Sequence, residues 1–185
     1  MPETNKTRYA ILGVLSLMPG SGYDIRKFCE KTLSHYWQEN FGNIYPMLAR
    51  LEREGLIERL AGNTGSRKIS YCVTGAGQDE LSRWLARPVE YQPARSELML
   101  KLSFASLMPP QDVMELLEGV KKRHQERLTQ YRVLEAAYIA SEAARAHPQY
   151  PYWLAPLRYG IESSLMTIRW CDETAASIQN NIVEA

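Results

Sequence analysis

The chain has 185 residues, 45% of them apolar and 23% charged, the balance of an ordinary globular protein of one domain or two small ones. No apolar run reaches the roughly 18–20 residues a membrane span needs, and no charged-then-apolar leader precedes a cleavage site, so a cytoplasmic protein is expected. Net charge is only +1, but residues 1–75 carry 10 Lys+Arg against 7 Asp+Glu (+3) and residues 76–185 carry 12 against 14 (−2), which puts a modest basic bias at the amino-terminal end.

In chain order, the apolar stripe Ile11, Leu12, Leu15 and Met18 predicts a first helix over Lys6–Met18. Pro19–Gly22 breaks it. Ser21 has the chemistry of an N-cap for a second helix, in which Ile25, Phe28, Cys29 and Leu33 keep the spacing of one buried face. After Asn40–Gly42 a third helix follows. With successive residues about 100° apart, Ile44, Met47, Leu48 and Leu51 share one face, while Tyr45, Ala49 and Arg53 lie opposite, flanked by Pro46 and Arg50. Proline is tolerated only where the helix N–H groups have no internal acceptor, so Pro46 places the start of the helix near Gly42–Asn43 and Tyr45 at its amino end. Gly55 takes the C′ position.

Beyond Gly55 the period changes to two. Leu56–Leu60 and Arg67–Thr74 are expected as the strands of a hairpin, with Gly62 and Gly65 in its turn. Thr74 is the expected N-cap of a fourth helix presenting Leu81, Trp84 and Leu85 and stopping before Pro88. Val89–Ala94 is the expected linker, dividing the chain into residues 1–88 and residues 89–185. The second part is expected to be helical: a short helix near Ser96–Leu107, one long helix over Gln111–Arg145, and a last helix over Tyr152–Ile182. Each long helix spans about 45 Å at ~1.5 Å per residue, so apolar seams through Val113, Leu117, Val120, His124, Tyr131, Leu134 and Tyr138, and through Leu157, Ile161, Leu165, Ile168 and Ile178, need a partner. Such seams suit pairing with each other and with a second copy of the chain.

Three short helices, the third with a basic outer face, followed by a hairpin, is the order of a winged helix-turn-helix, so the fold class is mainly α with a small β-hairpin wing and a carboxy-terminal helical domain. A helix of this kind enters the major groove with its amino end nearest the bases. Arg50 and Arg53 suit phosphates or guanine edges, and Tyr45 a phosphate or a thymine methyl. At the wing, Asn63, Thr64, Ser66, Arg67 and Lys68 combine small donors with two cations. Glu52 and Glu54 interleave with the arginines, which leaves a merely solvated, salt-bridged face as the alternative.

The stretches "YAILGVLSLMPGSGYDI", "IYPMLARLEREGLI", "YCVTGAGQDELSRWL" and "RSELMLKLSFASLM" resemble the PadR family of bacterial regulators, which includes AphA-type virulence activators. The resemblance implies a homodimer joined through its carboxy-terminal helices and bound to a near-palindromic site on double-stranded DNA. It also implies that Tyr23 and Tyr45 are signature tyrosines of the interface, that Asn43 is a polar position able to face a base, and that Arg67 and Lys68 form a basic wing pair. A small aromatic effector is a common companion of the family. Tyr152, Trp153, Arg158 and Tyr159 supply aromatic walls and a carboxylate partner for one. A repressor is the commoner role; an activator without a ligand, or a winged-helix protein-interaction module, is the alternative.

No enzyme and no cofactor are expected. His35, His124 and His147 have neither metal-ligand nor triad spacing, and neither a GxxxxGK[ST] loop nor a GxSxG elbow occurs. Cys29, Cys72 and Cys171 are expected as small buried or half-buried residues rather than disulfide or zinc partners. His124 is expected as a satisfied histidine on the apolar seam, and Trp37 and Trp84 as packing residues.

Overall fold

The computed structural model describes residues 6–33, 43–60, 69–90 and 95–183. Thr64, Arg67 and Lys68, the rest of the wing tip, Trp37 and His35 lie outside these. The chain forms two compact units, Met1–Tyr91 and Gln92–Ala185.

The first unit is built around α1 (Thr7–Leu17), whose Ile11, Leu12 and Leu15 are fully buried. Met18, expected on that stripe, is 45% exposed, because the helix ends one residue earlier and the backbone turns extended there. The helix α2 (Gly22–Phe28) starts on a capping box. The Ser21 hydroxyl accepts from the Asp24 N–H at 3.3 Å, and the Asp24 carboxylate accepts from the Ser21 N–H at 2.9 Å. A π-helical turn, Cys29–Leu33, continues it. The helix α3 (Ile44–Arg53) buries Ile44, Met47, Leu48 and Leu51 against α1 and α2, each contributing about 2 kcal/mol of burial free energy. Gly55 ends the turn after it with φ +71°, a conformation other residues adopt only with strain.

The expected strands are present as β2 (Ile57–Arg59) and β3 (Ser70–Val73). They form not a two-stranded hairpin alone but a three-stranded antiparallel sheet of order β1-β3-β2, in which β1 (Gly20–Ser21) pairs Gly20 with Tyr71. Thr74 caps α4 (Gly75–Leu85) by accepting from Gly77 N–H at 3.2 Å, and its hydroxyl donates to the Gly55 carbonyl at 2.7 Å. One side chain thus ties the end of the α3 turn to the start of α4. Trp84 packs as expected, stacked on Tyr9 at 4.4 Å with the rings 6° apart. Leu85 does not: it is 66% exposed.

The second unit opens with α5 (Glu97–Ser103), capped by Ser96, and a short 3₁₀ turn at Ala105–Leu107. Two long helices follow, α6 (Pro110–Ala140) and α8 (Tyr150–Val183). They run antiparallel: Lys121 meets Asp172 at 2.6 Å, and Arg158 meets Glu135 at 2.8 Å, so one number rises as the other falls. The long helix expected through Arg145 breaks at Ser141, whose backbone is extended and whose hydroxyl caps α7 (Glu142–Arg145) by accepting from Ala144 N–H. Serine competes with the helix for exactly such hydrogen bonds, and here the cap wins. Two clusters fill the α6–α8 seam. One holds Leu128, Tyr131, Leu154, Leu157 and Ile161, the other Val113, Leu117, Val120 and Cys171. Cys29 and Cys171 are buried and Cys72 half-buried, and none of the three is in a disulfide. His124 is half-buried, but its Nδ1 has no hydrogen-bond partner, so it is not the satisfied histidine expected.

Candidate nucleic-acid interface

The outer face of α3 is presented by its buried one. With Ile44, Met47, Leu48 and Leu51 fixed in the core, Asn43, Tyr45, Pro46, Ala49, Arg50 and Arg53 are turned outward. Pro46 is the third helical residue, inside the first turn, where its missing N–H costs no hydrogen bond. Asn43 is exposed and precedes the helix without capping it by its side chain.

Tyr45 is 65% exposed and Tyr23, at the start of α2, 60% exposed. Large aromatic rings left in water at that level on an otherwise well-packed unit point to a surface with a partner. Tyr45 packs beside Gly22, the residue that precedes Tyr23. A Cβ added at Gly22 would stand 2.7 Å from Tyr45 Cε1, so the amino ends of α2 and α3 meet at this ring.

The cations are held in place by carboxylates. Arg50 Nε donates to Glu54 Oε1 at 2.8 Å, and Arg59 Nε meets Glu52 Oε1 at 2.7 Å. The bond to Arg50, ahead of all other influences, holds the Glu54 carboxyl below its ordinary range. Arg53 is bound less firmly, with Nε 3.4 Å from the carbonyl of Ala49. Of the two arginines of this helix, Arg50 is salt-bridged, Arg53 has no salt bridge among the described residues, and both are exposed. Exposed pairs of this kind contribute little to stability, about 0–1 kcal/mol each, so exchanging a carboxylate for a phosphate is inexpensive.

One residue of this face escapes a reading of the sequence alone. Arg26, one helical turn after Tyr23, pairs with Glu30 at 2.8 Å. Its guanidinium is raised in pKa, first by the hydrogen bond and charge of Glu30 and more weakly by Tyr45 and Tyr23. Its charge is thus within electrostatic reach of both tyrosines. The i, i+3 spacing from Tyr23 was the available signal.

In the second unit the four residues expected to form an effector site lie along the first part of α8. Trp153 is stacked between Tyr138 and His147, at centroid distances of 5.8 Å and 4.7 Å. Arg158 is paired with Glu135. Tyr152 and Tyr159 are exposed at 67% and 75%. A groove of about 380 Å³ lies elsewhere, lined by residues that include Met114, Leu117, Lys121, Cys171 and Asp172.

Of the residues expected at a dimer seam, Leu157 and Ile161 are buried within this unit's own core. Ile168 and Ile178 are half-buried, and Leu165 is 38% exposed. A cluster of exposed apolar residues lies on a different segment: Leu100, Phe104 and Leu107 are 62%, 60% and 84% exposed. Among the described residues no cluster of three or more His, Cys, Asp or Glu could hold a metal ion, and no helix is long and apolar enough to cross a membrane.

A family model described as the transcriptional regulator PadR-like family matches residues 11–83, and one described as the virulence activator alpha C-terminal region matches residues 94–179. The negative transcriptional regulator PadR of Bacillus subtilis (strain 168) is 29% identical over 184 residues, covering 94% of this chain and 98% of that protein. The structure of B. subtilis PadR in complex with operator DNA superimposes with a TM-score of 0.80 at 27% identity, covering 92% of this chain and 98% of the other. Its complex with p-coumaric acid gives 0.79 at 27% identity, over 93% and 98%.

Proposed function

We propose that the chain, a PadR-like DNA-binding transcriptional regulator by its matches, is a cytoplasmic homodimeric repressor of its target genes. Two copies present their α3 helices to a near-palindromic operator. Tyr45 and Asn43, at the amino end of α3, reach the bases or the nearest phosphates; Tyr23, Arg26, Arg50 and Arg53 hold the flanking backbone, with Thr64, Arg67 and Lys68 of the wing alongside.

The observation that carries this reading is the exposure of two tyrosines, Tyr23 and Tyr45, at the amino ends of α2 and α3, which meet where the Tyr45 ring packs on Gly22. A relative of similar length that was crystallised with operator DNA supports it. The dimer is supported by the exposed Leu100, Phe104 and Leu107 together with Leu165, an apolar area a monomer would leave in water.

The effector is a small aromatic acid, the class to which the p-coumaric acid bound by the B. subtilis relative belongs. Tyr152 and Tyr159 offer free rings to it, and Arg158 exchanges Glu135 for the ligand's carboxylate, with Trp153 behind.

The test is retention of a duplex spanning the chain's own promoter, titrated with salt. Binding through several cations falls steeply between about 50 and 200 mM salt. No retention at low salt would leave the protein-interaction module as the better reading. Activation is the second reading, favoured by the match of residues 94–179 to a virulence-activator model. Transcript levels after deletion of the gene separate the two, rising for a repressor and falling for an activator.

A further inference from the structure

We infer that Arg8, on α1 and away from the outer face of α3, is a positioning residue for DNA binding: it holds Glu54 by one oxygen so that the Nη groups of Arg50 stay free to meet a phosphate. This rests on the reading of α3 as the recognition helix.

Glu54 is shared. Its Oε1 accepts from Arg50 Nε at 2.8 Å, and its Oε2 accepts from Arg8 Nη2 at 2.9 Å. Because Arg8 occupies the second oxygen, Glu54 grips Arg50 by Nε alone. Glu54 thus makes no bidentate clamp on Arg50, the stronger arrangement for a guanidinium and a carboxylate. Among the described residues the Nη groups of Arg50 bond to nothing, and its side chain is 54% exposed.

The far side of Arg8 is anchored on α4. Its Nη2 lies 3.7 Å from Glu80 Oε1, which also accepts from the Tyr9 hydroxyl at 3.2 Å, while Glu80 Oε2 meets Arg83 at 3.3 Å. The linked group is therefore Arg8, Arg50 and Arg83 against Glu54 and Glu80: three positive charges and two negative, net +1. Without Arg8 it is two against two. Arg8 supplies the surplus charge behind Arg50, yet with its side chain only 17% exposed it acts through Glu54 rather than on a phosphate itself.

Stability alone is a poor account of this side chain. Its Nε is buried without a hydrogen-bond partner, an arrangement that costs rather than contributes. The carboxyl of Glu54 is lowered by both guanidiniums, Arg50 first.

The experiment uses the full-length protein and a random-sequence DNA duplex at low salt, since the claim concerns charge and not base sequence. Arg8→Gln is expected to weaken binding by roughly 3–10-fold and to lower the salt slope by about one ion. Arg8→Lys keeps the charge and recovers most of the affinity. In an Arg50→Gln background, Arg8→Gln has no further effect, because its action passes through Arg50. Thermal melting accompanies each variant. If Arg8→Gln binds like the wild type, if Arg8→Lys is as weak as Arg8→Gln, or if the two losses add, the inference falls. Failure of the wild type to bind any duplex would instead overturn the regulator reading.

Discussion

The ring of Tyr45 lies against Gly22, so close that a methyl group at position 22 would stand 2.7 Å from Cε1 and 3.2 Å from Leu48 Cδ1. Glycine here sets the distance between the amino ends of α2 and α3, and with it the direction of Tyr45. Gly22→Ala should swing the exposed ring away at little cost to the core. The expected result is a loss of about 1 kcal/mol of operator affinity, a roughly five-fold weakening, with a melting temperature close to the wild type. Fluorescence anisotropy on a labelled operator and circular dichroism check the two halves. Unchanged affinity would show that the ring's position does not matter to DNA.

Tyr45→Ala goes further and removes the ring. Because Tyr45 is 65% exposed, the fold should persist, and operator affinity should fall by about 1–3 kcal/mol, the range of a good groove contact. Arg53→Ala should cost less, since that guanidinium already has only a long contact to the Ala49 carbonyl. Competition with random-sequence DNA separates the roles. Loss at Tyr45 should reduce the specificity ratio, whereas loss at Arg53 should lower both affinities together.

Much of this face was legible in sequence because its signals are local. Ser21, Thr74 and Gly55 act within three or four residues, and the structure uses all three as cap, cap and C′ turn. What escaped depends on distance or competition. The strand β1 is two residues long and has no period to read; it exists because Tyr71 arrives opposite Gly20. The break at Ser141 is invisible to periodicity, since apolar spacing continues across it. Arg26 reads as half of an ordinary i, i+4 pair with Glu30, and only the fold brings Tyr45, from another helix, within reach of its charge. Likewise the seam of α8 was readable, but not that α6 would consume Leu157 and Ile161 and leave Leu100, Phe104 and Leu107 uncovered.

That division predicts opposite outcomes for two kinds of apolar substitution. Leu100→Glu combined with Phe104→Glu should leave the helices intact and lower the mass measured by sedimentation, because both side chains are exposed. Leu157→Glu should instead unfold the second unit, since it would place a charge in the Leu128–Tyr131–Leu154 cluster. A dimer that survives the double substitution would remove this segment from the interface.

The crossing of α6 and α8 rests on another close approach. A Cβ at Gly160 would stand 2.6–2.9 Å from three ring atoms of the buried Tyr131. Gly160→Ala should therefore destabilise the second unit by about 1–3 kcal/mol through overpacking. Adding Tyr131→Leu, which withdraws the ring, should recover part of the loss in a double-mutant cycle. Strictly additive melting shifts would show that the two residues do not meet.

His124 makes the stability of this unit depend on pH with a definite sign. Burial, then the charges of Arg127 and Arg123, push its pKa below the ordinary histidine value. The folded state thus binds the proton less readily than the unfolded one, so the unfolded chain carries more protons in the window between the two values. Stability is then fully present above the unfolded value of about 6.5 and is lost as pH falls below it toward the folded value. His124→Leu removes both the titration and the partnerless Nδ1. The variant should melt at least as high as the wild type at neutral pH and show a flatter decline on acidification. Melting temperatures measured across the acid range decide it: parallel curves for the two proteins would place the acid sensitivity at other groups.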